Sequence, residues 1–336
     1  RGLGDVYKRQ IYGYNRNTNP ELTKIKGLTA FSHVLTESNT THKSVPMLMS
    51  SVTAHDFNSI YRQKGIITAF KEAGYRTAFF SNQRYNHSFI DFFGKEADIC
   101  DFIKEDTGDG SYNPSDDELL KLVAAELAEN VSKQFIVLHT YGSHFNYRER
   151  YPADNAFFLP DFPVDAELKY KDNLINAYDN SIRYTDNFLA RLIRMLQEQD
   201  IDAAMLYTSD HGEDIFDDDR HLFLHASPVP SYYQIHVPFL IWMSDNYRKN
   251  YPDLFKNAEI NRQKNISSSA SFFQTMLELG GIDTPSRNDS LSVINASYTE
   301  KNRVYLNDHN EARSLNDIGM REEDFTMLQM KGIVYR

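Results

Sequence analysis

The strongest constraint in this chain is an alternation. Short apolar runs, most of them ended by a polar residue or glycine, are separated by longer segments with apolar residues at helical spacing. The runs are Ala30–Leu35, Arg76–Ser81, Phe135–His139, Ala203–Thr208 and Val237–Met243. They are too short for helices and too continuously apolar for strands wetted on one face. They read as strands covered on both faces. The longer segments, Asn58–Ala73, Asp116–Asn130, Leu174–Gln199 and Ser269–Leu279, read as helices. Ser115 with Glu118 three residues later has the form of a capping box. Tyr178, Ile182, Phe188, Leu189, Leu192 and Leu196 fall broadly on one helical face. Gly280-Gly281 stops the last helix. This alternation predicts an α/β fold, an α/β/α sandwich around a central, mostly parallel sheet. Glu105–Asn113 and Tyr147–Glu167 read as loops, and Gly332–Tyr335 as an added edge strand.

The chain has 336 residues, with no internal repeat, no low-complexity linker and no shift in composition. A single domain over 11–336 is the simplest organisation. Arg1–Gln10 has no apolar period, cap or signal-like core and reads as a non-native start. There is no run of 18 apolar residues, so no predicted membrane span. Apolar residues at 41% argue against intrinsic disorder. A net charge of −11 argues against general nucleic-acid binding, which needs clustered Lys and Arg. The single cysteine, Cys100, excludes an intrachain disulfide and a Cys-rich zinc site, and reads as a buried apolar residue.

Four patches carry chemistry. Thr208-Ser209-Asp210-His211-Gly212-Glu213 follows an apolar strand, where open α/β sheets bind ligands. A carboxylate and an imidazole converging there make half a site for zinc or a similar metal, and Gly212 would let the backbone turn to bring them together. Leu138-His139-Thr140-Tyr141-Gly142-Ser143-His144 also ends a strand. His144 lies in the loop and is the better ligand, whereas His139 would also serve as a hydrogen-bonded core residue. His225 stands 14 residues after His211, beyond an acidic turn at Asp217–Asp219 that reads as solvated, with His221 at the surface. Finally, Ser38-Asn39-Thr40-Thr41-His42-Lys43-Ser44-Val45-Pro46 puts hydroxyls at a strand-to-helix turn. They suit helix capping, or a nucleophile activated by a base or metal. Together the patches would gather a hydroxyl, an Asp and several His on one edge of the sheet.

With these motifs the sequence resembles the phosphoethanolamine transferases of the sulfatase and alkaline-phosphatase superfamily. The resemblance rests on Tyr12-Gly13-Tyr14-x-Arg16-x-Thr18-x-Pro20, Thr41-x-x-Ser44-Val45-Pro46, His139-x-x-Gly142-x-His144, Asp210-His211-Gly212-Glu213 and Leu224-His225, and runs from Ile11 to about Gly281. It implies a periplasmic α/β domain tethered to the bacterial inner membrane by upstream helices. It also implies transfer of phosphoethanolamine from phosphatidylethanolamine through a covalent phospho-threonine to lipid A, lipopolysaccharide core or a glycan. Thr41 matches the nucleophile. Asp210 and His211 match ligands of a main zinc. His144 and His225 match residues that hold the substrate phosphate or a second zinc and act in catalysis. His139 falls in the substrate-binding shell, and Asn82 and Gln83 where the family places a polar substrate contact. The cofactor implied is Zn2+, in one site or two, with Mn2+ an alternative.

The sequence departs from the family where a metal-binding Glu should precede the Tyr-Gly-Tyr motif by about ten residues. That position falls near Gly2, and no Glu stands there. The disulfides of lipid A modifiers are also ruled out. Three other readings stay open: a phosphoglycerol transferase that also uses a Thr, a sulfatase, and a non-catalytic binding domain. A sulfatase would be expected to carry Cys/Ser-x-Pro-x-Arg, which the Thr41 region lacks.

Overall fold

A computed structural model describes residues 16–104 and 113–335. The expectations for Arg1–Gln10, for the position near Gly2 and for most of the Glu105–Asn113 loop lie outside the described residues.

The first strand region divides. Leu28–Ala30 (β1) and His33–Leu35 (β2) are separate strands rather than one run over Ala30–Leu35. The break has a hydrogen-bond cause: the Phe31 N–H still reaches Phe239 O, but the Ser32 N–H turns to Arg262 O. Thr41–Met49 (α1) follows β2. The helix expected over Asn58–Ala73 is also two pieces, a 3-10 run Ala54–Arg62 and Ile66–Glu72 (α2). Gly65 separates them. A Cβ there would lie 2.7 Å from both Phe93 and Glu96, so the chain is pinned extended between the two pieces.

Arg76–Ser81 (β3), Phe89–Gly94 (α3), Ile99–Phe102 (β4), Asp117–Ala128 (α4) and Gln134–His139 (β5) come next. β3 is the centre of a parallel trio in the order β4-β3-β5, with Ser81 opposite His139. Thr77–Ser81 are all buried, as a strand covered on both faces requires. The capping box expected at Ser115 does not form. Glu118 pairs with Lys121 instead, and the carboxylate of Asp116 turns away to the β5 loop. Cys100 in β4 is half-buried and free rather than fully enclosed.

Lys171–Gln197 (α5) is the long helix read from Leu174–Gln199, with Tyr178, Ile182, Phe188, Leu189 and Leu192 in the core. Ala204–Thr208 (β6) leads into a hairpin of Asp214–Ile215 (β7) and Phe223–Leu224 (β8), then Tyr232–Ile235 (α6) and Phe239–Met243 (β9). β9 is buried throughout and pairs antiparallel with both β1 and β6, so the parallel trio is accompanied by an antiparallel one. It starts after Pro238, which has no N–H to offer a ladder. Asp245–Asn250 (α7), Pro252–Asn261 (α8), Asn265–Ser267 (β10, parallel to β2) and Ser268–Leu279 (α9) complete the layers. Val304–Leu306 (β11), Ala312–Ser314 (β12) and Glu322–Met330 (α10) form the end of the chain. Gly332–Tyr335 is not a strand. Gly332 closes α10 at φ +71°, and Val334 N–H bonds the Asn265 side chain rather than a neighbouring strand. No helix among the described residues is long and apolar enough to cross a membrane.

Candidate functional site

Three loops meet beyond the carboxyl ends of β2, β5 and β6, the position expected for a site in an α/β fold. Buried hydrogen bonds hold them together. Thr36, just past β2, donates from Oγ1 to Asp210 O at 2.9 Å. Asn39 donates from Nδ2 to Gln234 Oε1 at 2.6 Å and to Ser227 O at 2.9 Å, and its own carbonyl accepts the Ala226 N–H. The loop carrying His225 is thereby tied to the start of α1, whose first residue is Thr41. Gly212 is needed for close approach rather than for the turn the sequence implies: its φ is not positive, and a Cβ would lie 2.1 Å from Tyr233 O. His225 sits between Leu224 and Ala226, both at positive φ, which other residue types rarely adopt unless their surroundings impose it.

At the centre, Thr41 Oγ1 lies 3.1 Å from His211 Nε2. His211 Nδ1 lies 3.0 Å from Gly212 O, and a carbonyl only accepts, so the ring carries its proton on Nδ1. Nε2 therefore presents a lone pair to the Thr41 hydroxyl. It presents the same lone pair to Asp210 Oδ2 at 3.4 Å. Burial alone would raise the Asp210 carboxyl, but His211, the Thr41 hydroxyl, His225 and His139 hold it below its ordinary value. Where Nε2 is unprotonated these two atoms are both acceptors, and a bound cation would bridge them, as a proton on Nε2 does in the imidazolium.

The neighbouring side chains repeat the pattern. His225 Nδ1 pairs with Glu213 Oε1 at 3.2 Å, and the His225 ring lies 3.8 Å from that of His211, centroid to centroid. Donor atoms of His211, Glu213 and His225 all lie within 4.8 Å of one another. Buried Tyr147 donates its hydroxyl to Glu213 Oε2. Burial and the adjacent Glu213 push that hydroxyl far above its ordinary value, so it stays a donor. Imidazole nitrogen and carboxylate oxygen suit Zn2+ and related divalent ions, and an outer donor such as Tyr147 is how such ligands are oriented. The residues present fit a metal.

The other expected residues are placed differently. His144 is exposed, with its ring 6.4 Å from that of His225 at the rim of the cluster. His139 stands back from the cluster and bonds Ser81 Oγ through Nδ1 at 2.9 Å, and burial pushes its imidazole down. Asn82 is buried and spends its amide on Pro114 O and Asp116 Oδ1. The same Asp116 accepts the N–H groups of Tyr141 and Gly142, so Asn82 shapes the β5 loop. Gln83 lines a cleft that Thr41, His139, His144, Asp210, His211 and Glu213 also line. Sequence reasoning did not assign Glu213 or Tyr147. Glu213 had a usable signal, since it stands two residues from His211 and side chains at i and i+2 of extended chain share a side. Tyr147 had none, because its contact spans 66 residues.

The sulfatase family profile matches residues 3–282. The chain belongs to the sulfatase family. Among its relatives is Kdo(2)-lipid A phosphoethanolamine 7''-transferase of Escherichia coli K12, 31% identical over 266 residues, which cover 76% of this chain and 45% of the relative. Phosphoethanolamine transferase EptC of Escherichia coli O18:K1:H7 is 25% identical over 307 residues, 88% of this chain and 52% of the relative. The chain thus spans about half the length of the curated relatives it matches. The zinc complex of the C-terminal periplasmic domain of Escherichia coli EptC superposes with a TM-score of 0.82 at 24% identity, over 92% of this chain and 88% of that one. The integral membrane protein lipooligosaccharide phosphoethanolamine transferase A of Neisseria meningitidis superposes with a TM-score of 0.72 at 23% identity, over 87% of this chain and 54% of that one. These likenesses establish the alkaline-phosphatase/sulfatase-like α/β fold.

Proposed function

We propose that this is the single catalytic domain of a metal-dependent phosphoethanolamine transferase, spanning residues 11–336. It would take phosphoethanolamine from phosphatidylethanolamine and pass it to lipid A, lipopolysaccharide core or a related glycan, at the periplasmic face of the bacterial inner membrane. The observation that carries this reading is the hydroxyl of Thr41, at the first residue of α1, held 3.1 Å from a lone pair on His211 and beside Asp210. The names of the relatives supply the group transferred, and the zinc-bound neighbour agrees with the donor set.

In this reading Asp210 and His211, with Thr41 Oγ1, would hold the metal, and Glu213 and His225 would complete or adjoin its shell. A bound Zn2+ would favour ionisation of the Thr41 hydroxyl and offset charge on the phosphoryl oxygens. Thr41, its hydroxyl proton lost to solvent, attacks phosphorus; the bond from phosphorus to the glycerol oxygen breaks, leaving phosphoethanolamine esterified to Thr41 as the covalent phospho-threonine and diacylglycerol as the leaving group. His225 or His144 hands a proton to the departing oxygen. The α1 N-terminus has backbone N–H groups unused by the helix to receive the phosphoryl group. His139 and Gln83 line the substrate side, and Asn82 sets the loop beside them. An acceptor hydroxyl or phosphate then reverses the attack and frees Thr41.

The test is intact mass with peptide mapping of the zinc-loaded protein after exposure to phosphatidylethanolamine. A phosphoethanolamine adduct on Thr41, absent in Thr41→Ala, is the expected result. A zinc-loaded protein without adduct would refute the reading, and an adduct formed only from phosphatidylglycerol would assign phosphoglycerol transfer instead.

A further inference from the structure

Exposed hydrophobic residues scattered singly need no explanation, but here four lie within eight residues. Phe157, Leu159, Phe162 and Val164 are each between 58 and 82% exposed. Their exposure is built into the fold. On one face of α5, Asn173, Asn176 and Asn180 donate their side-chain amides to Phe162 O, Pro160 O and Phe158 O at 3.1, 2.8 and 3.0 Å. Asn180 Oδ1 also accepts the N–H groups of Phe157 and Phe158 at 2.9 and 2.8 Å. Pro160 and Pro163 have no N–H to satisfy. Asp161, the one acid between Phe157 and Pro163, is buried, where Tyr151 and Arg148 hold it. The helix thus takes up the Phe157 and Phe158 N–H groups and the Phe158, Pro160 and Phe162 carbonyls from its own side, and leaves apolar side chains facing out. Backbone polar groups satisfied within the protein are what an apolar medium demands.

Two further features identify that medium. The guanidinium of Arg183 lies 4.2 Å over the Phe157 ring, and that of Arg148 4.6 Å over Phe162. Aromatic rings capped by cations match the boundary between acyl chains and headgroup phosphates. The loop is also joined to the candidate site through the core: buried Tyr147 holds Glu213, its ring packs 4.9 Å from buried Tyr178 of α5, and buried Asn180 lies two residues further along that helix.

We propose that the 157–164 surface docks on a phospholipid bilayer, seating Leu159, Phe162 and Val164 at the acyl–headgroup boundary with Arg183 at the phosphates, while Arg148 stays paired with the buried Asp161. The inference deepens the functional reading above and rests on it: a site that draws its donor from a bilayer has this surface to meet the bilayer with.

The experiment is flotation of the protein with phosphatidylcholine vesicles, which hold no phosphoethanolamine to transfer. The wild type and Thr41→Ala should float alike. The variant Leu159→Ser/Phe162→Ser/Val164→Ser should bind about tenfold or more weakly, with an unchanged far-UV spectrum and unchanged turnover of a detergent-dispersed donor. Tyr61→Ser/Phe92→Ser, which removes exposed aromatic surface elsewhere, should bind as the wild type does. The one tryptophan of the chain, Trp242, is fully buried. An added indole in Phe162→Trp should therefore shift to the blue on vesicles and be quenched by brominated phosphatidylcholine. The proposal is overturned by absence of flotation, by equal flotation of the triple variant, by an equal loss in the Tyr61/Phe92 variant, or by loss in Thr41→Ala. Self-association relieved by the triple variant would assign the surface to a second copy and overturn it too. Because phosphatidylcholine is no donor, this result and the Thr41 adduct fail separately.

Discussion

Glu37 lies in the connection that delivers Thr41 from β2 to α1, and it is buried. Its Oε2 accepts the Ala54 N–H at 3.0 Å. Burial, with a smaller push from Asp56, lifts its carboxyl from 4.5 to about 7, against the opposing pull of the Ala54 N–H and Arg303. A raised carboxyl means that the fold prefers the neutral acid. Between pH 4.5 and about 7 the folded protein holds a proton that the unfolded chain has released, so stability falls as pH rises through that window. The contribution is fully present below pH 4.5 and lost above about pH 7. A shift of about 2.5 units corresponds to about 3 kcal/mol. Glu37→Gln keeps an acceptor for Ala54 and cannot ionise. Any penalty for its new N–H2 group is the same at every pH, so only the pH-dependent difference matters. Asp186 and Asp214, raised to about 6 by burial, slope in the same direction in both proteins and cancel. Urea unfolding at pH 5 and pH 8 should show the variant gaining about 2.5 kcal/mol on the wild type, since part of the full contribution lies below pH 5. Stability curves that run parallel across the interval would refute the reasoning and show Glu37 ionised throughout, with compensating contacts not recognised above.

Two further changes test the scaffold of the site. Tyr147→Phe removes a buried donor from Glu213 and should weaken zinc binding by about 10- to 100-fold, read by calorimetric titration; unchanged affinity would mean that Glu213 is not a ligand or needs no orientation. Gly212→Ala puts a Cβ 2.1 Å from a backbone oxygen that cannot swing aside. The loop must move, at a stability loss of about 1–3 kcal/mol, and zinc affinity should fall with it; an unchanged melting temperature would show that the close approach is not required.

The site residues that were legible in the sequence are those whose chemistry and position are both local. Asp210 and His211 end an apolar strand, and Thr41 opens a helix after another. Position beyond a strand's carboxyl end follows from that alone; that β2 and β6 bring these ends together although they belong to different sheets does not. His225 was legible only as one of several histidines. What selects it over His221 is the β7–β8 hairpin, with Asp214 paired to Leu224, and the hydrogen bond from Ala226 to Asn39. Asn82 shows the opposite failure. A polar residue at a strand end looks like a substrate contact, yet its amide goes to Asp116, a carboxylate that local reasoning had assigned only to the start of a helix. The divided elements fail for the same reason. Ala30–Leu35 is apolar at both ends with Ser32-His33 between, and its two halves bond different partners, β9 and β10, which follow more than 200 residues later.

The loop at 157–164 carries this distinction into function. By composition it is a proline-broken connector, and nothing in its own residues says whether Phe162 points in or out. The answer is written in α5, where asparagines at positions 173, 176 and 180 recur at helical spacing and fall on one face. Those asparagines lie inside an amphipathic helix, two of them buried, where their propensity is poor. Their amides are used on loop carbonyls, and the result is to hold apolar side chains in water. Such an arrangement lowers the stability of the isolated domain relative to a loop folded inward. It is therefore better explained by what the surface meets than by what the fold needs. Asn180→Ala separates the two accounts. It leaves the Phe157 and Phe158 N–H groups without their acceptor. If the ladder exists to present the surface, vesicle binding should fall while the free energy of unfolding drops by no more than about 1–3 kcal/mol from lost hydrogen bonding. A large loss of stability with vesicle binding intact would make the asparagines a structural clamp and nothing more.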